Sequence, residues 1–141
     1  MAVSVARGHT AAPLQPIPPV RTLTRLNTQP LSIDLNADLG EDPAAFERDL
    51  ALATLLSSLN VACGGHAGDD DTMARLCALA ADRGKALGAH PGYPDRANFG
   101  RLELQLSPVE IETTVAAQLH SLAAHARCAG TRLTHVKPHG A

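Results

Sequence analysis

The segment "LSIDLNADLGED", residues 31–42, alternates apolar and polar residues until Gly40 and Glu41 break the period. In an extended chain Ile33, Leu35 and Ala37 fall on one side, and Asp34, Asn36 and Asp38 on the other. This predicts a strand over 31–38 with one apolar and one polar face. Asp42 followed by Pro43 then reads as the N-cap and first position of a helix, because proline needs no amide partner there. A strand running straight into a helix is the first half of a βαβ unit.

The pattern recurs downstream. Leu52, Leu55, Leu56 and Leu59 fall at helical spacing and predict the first apolar stripe. "NVACG" (60–64) predicts the second strand, and "GDDDTMARLCALAADRG" (68–84) the second helix. Asp69, Asp70 and Asp71 suit that helix's positive end, Gly84 suits its C′ position, and Met73, Leu76, Cys77 and Ala80 form its stripe. "KALGAHP" (85–91) predicts the third strand, followed by a turn-rich loop through Phe99. Ser107, Pro108 and Glu110 make a capping box for a helix carrying Ile111, Val115, Leu119, Leu122 and Ala126. "RLTHVKPHG" (132–140) predicts the fourth strand. Strands alternating with helices predict a parallel sheet with right-handed crossovers, hence an α/β fold.

Residues 1–30 differ in composition. They contain no Asp or Glu, carry Arg7, Arg21 and Arg25, and hold five prolines from Pro13 to Pro30. No secretory h-region is present, and the reading is a disordered, dispensable leader ahead of a domain over 31–141. With 12 basic and 14 acidic residues and three aromatics (Phe46, Tyr93, Phe99), the chain has neither the basic patch nor the stacking surface of a nucleic-acid binder. No apolar run is long enough to span a membrane. Cys63, Cys77 and Cys128 are widely separated, which predicts reduced thiols and a cytoplasmic location.

The polar residues on these strands are the functional signal. Parallel strands covered on both faces usually read as continuous apolar runs. Here Asp34, Asn36 and Asp38 share one face of the first strand, and His135, Lys137 and His139 one face of the fourth. Asn60 and His90 interrupt the two between. Burying such groups unpaired costs about 1–3 kcal/mol each, so a polar, water-accessible mouth is expected instead. "ADLGE", "CGGHAGDD", "AHPGYPD" and "VKPHG" all follow strands, the edge at which α/β enzymes place their chemistry.

His66, His90, His135 and His139 are expected to converge there with Asp38 and Glu41. Carboxylates and imidazoles together support acid–base hydrolysis or ligate a divalent metal, for which Asp38, His66 and His90 are candidates. His135 and His139, separated by roughly 13 Å if extended, share a metal only if the chain turns at Pro138. Asp42, Asp69 and Asp70 read as helix caps, Cys63 as a small buried side chain, and His120 and His125 as surface residues. Asp34 fits either a structural carboxylate or a site residue. Amides before the second helix suit an anion, with Lys137 as a complementary charge for a carboxylate or phosphate. A phosphate-binding GxxxxGK[ST] loop is absent.

"IDLNADLGE" (33–41), "NVACGGHAGD" (60–69), "GAHPGYPDRANFGR" (88–101) and "HVKPHGA" (135–141) together resemble the LamB/YcsF family. The resemblance covers 32–141 and implies a (β/α) barrel of the glycoside hydrolase/deacetylase type, of which this chain holds the first four or so units. It also implies ATP-driven hydrolysis of 5-oxoproline to glutamate, with ATP as co-substrate and with partner subunits B and C of the bacterial 5-oxoprolinase. On that picture Asp38 or Glu41 activates water or holds the reacting carbonyl, and His66 and His90 move protons. Asn36, Asp69, Asp95, Lys137 and His139 are the substrate-binding candidates. Family chains continue past "KPHGA", so the resemblance implies an N-terminal part of a barrel of about eight strands. Two other readings are a metal-dependent amide or sugar deacetylase and a truncated product without activity. The 141-residue chain mixed with subunits B and C is expected to release no glutamate from 5-oxoproline and ATP. A rate comparable to that of a full-length homologue contradicts this expectation.

Overall fold

Strands β1 (Asn36–Leu39), β2 (Ser58–Ala62), β3 (Ala86–His90) and β4 (Leu133–Val136) form one parallel sheet in sequence order. Helices α1 (Phe46–Leu55), α2 (Asp70–Asp82) and α3 (Pro108–Cys128) connect them. The structure is a computed structural model and describes residues 32–140. The leader expected over 1–30 lies outside the described residues. Order and direction make this an α/β fold with the arrangement of a partial TIM-like barrel. No helix among the described residues is long and apolar enough to cross a membrane.

The caps of α2 and α3 follow the sequence. Asp69 Oδ1 accepts from the Thr72 amide at 2.8 Å, while Thr72 Oγ1 accepts from the Asp69 amide at 3.0 Å. Ser107 and Glu110 make the corresponding box at α3. Gly84 and Gly130 stand past the two C-termini with φ of +60° and +78°, conformations that favour glycine.

The first helix departs from expectation. Asp42 caps a 3-10 turn, Pro43–Ala45, accepting from the Ala44 amide, and α1 begins only at Phe46. Leu52 and Leu55 are exposed, Leu56 is already extended, and Leu59 belongs to β2. The helical spacing of these leucines is a coincidence of a helix ending and a strand beginning within the same run. Phe46, Leu50 and Ala53 make the true stripe of α1. The strand expected over 31–38 is likewise shorter and later, leaving Ile33 and Leu35 exposed. Along α3 full burial is confined to Gln118, Leu122 and Ala126; of the expected contributors Leu119 packs partly buried against the core and Ile111 is exposed.

One sheet face packs on the helices. Leu39, Leu59 and Leu87 from adjacent strands and Leu76, Cys77 and Leu122 from α2 and α3 are fully buried there. The register aligns Asp38, Asn60, Gly88 and His135 on the opposite face. An irregularity between Leu87 and Gly88 leaves Thr134 unmatched, so Leu133 and Val136 align with Leu87 and Ala89 while His135 faces the polar side.

The Asp69 carboxyl is held below the usual carboxylate range, first by its hydrogen bonds from the Thr72 amide and hydroxyl. A depressed carboxyl contributes stability above its unfolded pKa and loses it as pH falls through the folded value. Asp69→Ala is expected to cost about 1 kcal/mol in urea unfolding at pH 7. The deficit should shrink on acidification below the unfolded carboxylate range.

Candidate active site

Two polar layers stand on the free sheet face. The first is a hydrogen-bonded row centred on Asn60, which is buried on β2. Its Nδ2 donates to Asn36 Oδ1 and Asp38 Oδ1, both at 3.1 Å, and its Oδ1 lies 2.8 Å from His135 Nε2. Because the amide oxygen only accepts, His135 carries a proton on Nε2, while its Nδ1 lies 2.9 Å from the Thr134 hydroxyl, whose oxygen also stands 3.1 Å from the Leu87 carbonyl. The imidazole reaches from β4 to β2 by passing over β3 at Gly88. A Cβ on Gly88 would collide with the His135 ring, so only glycine leaves room. Asp34 sits at the margin of this row, accepting from the Ser57 and Ser58 hydroxyls and from Asn36. Of its two readings the geometry favours the structural one, without a Lys137 contact.

The second layer lies at the C-terminal strand ends. Glu41 Oε1 is 3.0 Å from His66 Nε2, 3.3 Å from His90 Nε2 and 3.6 Å from His139 Nδ1. His90 Nε2 and His139 Nδ1 stand 3.2 Å apart. The His66 and His139 rings stack at 3.9 Å, with His90 and Phe99 edge-on to both. Backbone carbonyls set two tautomers: His90 Nδ1–H donates to Lys137 O at 2.6 Å, and His139 Nε2–H donates to Phe99 O at 3.0 Å. Their remaining nitrogens therefore point lone pairs at Glu41. Burial above all, with the neighbouring imidazoles, holds the proton affinities of His66 and His139 below the ordinary histidine range.

Asp38 joins the layers. One oxygen accepts from Asn60; the other accepts from Lys137 Nζ and lies 3.4 Å from His90 Nε2. Burial opposes ionisation of Asp38, but Lys137, His90 and Asn60 outweigh it and leave the carboxyl below its usual pKa.

Residues the sequence did not single out fix the loops. Asp49, buried on α1, accepts from the Gly40 amide at 2.9 Å and so anchors the turn bearing Glu41. Gln118, buried on α3, both donates to and accepts from the Gly92 backbone. Gly92 must lack a side chain, since its Cβ would collide with His66 Nδ1. Arg96 donates to the carbonyls of Gly64 and Gly68, bracing the loop that carries His66. Phe99 holds a left-handed φ of +57°, uncommon for an aromatic residue, while its carbonyl receives His139. Only local glycines and prolines hinted at these roles; the partners lie too far away in sequence.

Of the expected site residues, Glu41, His66, His90 and His139 come together, with Asp38 and Lys137 adjoining. His135 is separate, held in the Asn60 row with Asn36. Asp38 does not belong to the tightest ligand group, where Glu41 and His139 join His66 and His90. Asp69 and Asp95 act as caps, Asp95 accepting from the Asn98 amide and side chain. An anion at the start of α2 is disfavoured, because the Asp69 carboxylate already occupies the cap and Asp70 and Asp71 follow. Cys63 is buried and its thiol is pushed up to about 12, which fits packing and not nucleophilic attack.

A sequence model described as the LamB/YcsF family matches residues 33–141. A protein of Methylococcus capsulatus, named as the A subunit of 5-oxoprolinase, is 55% identical over 112 residues, covering 78% of this chain and 43% of the relative. Its namesake in Chloroflexus aggregans is 52% identical over 113 residues, covering 79% and 45%. The crystal structure of a lactam utilization protein from Thermus thermophilus superposes with a TM-score of 0.70 at 44% identity, over 78% of this chain and 45% of that one. The chain thus spans less than half the length of these relatives.

Gly88→Ala is expected to displace the His135 ring, break its bond to Asn60 and cost about 1–3 kcal/mol in denaturant unfolding. Adding His135→Ala should make the double variant less destabilised than the sum of the single changes. Strict additivity would show that the ring does not need the gap.

Proposed function

This chain belongs to the LamB/YcsF family, and we propose that it carries part of the catalytic surface for ATP-dependent hydrolysis of 5-oxoproline to glutamate, completed by partner subunits. The observation that carries this reading is 55% identity over 112 residues to a relative named as the A subunit of 5-oxoprolinase. The polar strand-end site supplies chemistry of the required kind.

A five-membered lactam is a poor electrophile, because its nitrogen donates electron density into the carbonyl. Transfer of the ATP γ-phosphoryl group to the carbonyl oxygen removes that protection and leaves ADP. One water then adds to the carbonyl carbon, the ring C–N bond breaks as the nitrogen takes up a proton, and a second water cleaves the resulting acyl phosphate, leaving the amine, a carboxylate and inorganic phosphate. In this scheme Glu41, facing three imidazoles, takes the proton from the attacking water. His66 passes protons through its contact with Glu41, while His90 and His139, their N–H groups held by backbone carbonyls, present acceptor nitrogens to the protons that Glu41 takes up. Lys137, paired with Asp38 and half exposed, is placed to meet the substrate carboxylate. Asn36, Asp38 and Asn60 form the polar floor beneath.

The test is a graft. Residues 33–141 replace the matching segment of the Methylococcus relative, and glutamate is measured with 5-oxoproline, ATP and the partner subunits. The graft is expected to release glutamate only with ATP, and Glu41→Gln within it should lower the rate about 100-fold or more. A folded graft without turnover would refute the reading. Turnover independent of ATP would favour a deacetylase-like amide hydrolase.

A further inference from the structure

The hydrogen-bond pattern of the histidine cluster leaves its centre short of positive charge. His90 and His139 each spend their single N–H on a backbone carbonyl, Lys137 O and Phe99 O respectively. Their other nitrogens, His90 Nε2 and His139 Nδ1, face each other at 3.2 Å with no proton between neutral rings. The same His90 nitrogen also lies 3.3 Å from Glu41 and 3.4 Å from Asp38, both acceptors when ionised. Lone pairs and carboxylate oxygens at this separation repel unless a cation stands among them. The His66 and His90 side chains are fully buried, and that of His139 is nearly so, leaving little solvent to screen the repulsion.

We propose that Glu41, His66, His90 and His139 form a divalent-metal site of the zinc type, with ligand atoms Oε1, Nε2, Nε2 and Nδ1.

Three physical features support it. The four ligand atoms lie within 4.8 Å of one another. In a tetrahedral site with bonds of about 2.0 Å, neighbouring ligand atoms sit about 3.3 Å apart. Four of the six separations here are 3.0, 3.3, 3.6 and 3.2 Å, so Glu41, His90 and His139 already stand at that spacing, while His66, stacked on His139 and with all ligand atoms within 4.8 Å, completes the cage by rotating inward. Next, a metal-bound imidazole normally donates its second N–H to a carbonyl or carboxylate, and His90 and His139 both do so. Finally, three imidazoles and one carboxylate suit zinc and neighbouring transition ions over magnesium or calcium, which prefer all-oxygen shells. His66 Nδ1 is buried without a partner and stays so in either tautomer, so it does not distinguish a bound from an unbound state. A shared proton between His90 and His139 is the competing occupant.

The site coincides with the one assigned to lactam hydrolysis, but metal binding is read without turnover, so the failure of either reading is distinguishable from failure of the other. The 141-residue chain is stripped with chelator and titrated with zinc by calorimetry, then with cobalt as an optical probe. One equivalent of zinc per chain and the strong visible absorption of four-coordinate cobalt are expected. Glu41→Gln and His139→Ala should weaken zinc binding at least about tenfold, while His120→Ala on the exposed face of α3 leaves it unchanged. Nitrogen NMR of the unsubstituted chain decides the matter even if a variant fails to fold. Zinc should shift His90 Nε2 and His139 Nδ1 and leave the carbonyl-bonded nitrogens nearly in place. Absence of stoichiometric binding, unchanged affinity in a folded Glu41→Gln variant, or a proton signal shared by His90 and His139 in the presence of zinc would overturn the proposal.

Discussion

The free face of the sheet depends on one buried amide. Asn60 hydrogen-bonds to residues of β1 and β4 on either side, and no apolar residue of its size could replace those bonds. Its two donors orient Asn36 and Asp38, and its oxygen sets the tautomer of His135. Removing it would leave a carboxylate, an amide and an imidazole without their partner on a partly desolvated face. Each loss is of the order of 1–3 kcal/mol. Gly88 is the counterpart of this constraint, for without its missing side chain the imidazole could not cross the intervening strand.

Above that floor the strand ends concentrate groups that a stable core would avoid. Three imidazoles and a carboxylate sit together, with two imidazole side chains fully buried. The scaffold holds them by long-range backbone contacts: Lys137 to His90, Phe99 to His139, and Asp49 to the turn bearing Glu41. The apolar contacts of the other face, through Leu39, Leu59, Leu87 and their helix partners, supply the stability against which this polar concentration is set. Such an arrangement stores chemistry at a strand edge and places the stabilising burial behind it.

Local rules made much of this legible. The part of the alternation over 36–38, the capping boxes at Asp69 and Ser107, and the glycines after α2 and α3 depend on residues within a few positions of one another. The grouping of polar residues at strand ends likewise identified Glu41, His66, His90 and His139. What escaped depends on distant partners or on competing periods. The leucines from Leu52 to Leu59 satisfy a helical pattern, yet the pairing of Leu59 with Ala37 and Leu87 pulls it into the sheet. His135 and His139 look equivalent in sequence, but their different partners assign one to the Asn60 row and the other to the cluster. Gln118 looks like a polar interruption of a helix until Gly92 is brought against it.

Charge balance links the two layers and limits what the site can bind. Asp38 stands between them, with one oxygen committed to Asn60 and the other to Lys137 beside His90. The ammonium of Lys137 is thus already partnered, and the substrate carboxylate of the proposed reaction would have to share it or draw it away from Asp38. Drawing it away would leave the Asp38 carboxylate facing His90 and Glu41, raising the negative potential where the histidine lone pairs converge. A cation at the centre would compensate that loss and let Lys137 turn to the substrate. On the proposed reading, anion recognition at the rim and cation retention beneath it would be opposite sides of one electrostatic balance, with Asp38 as its pivot.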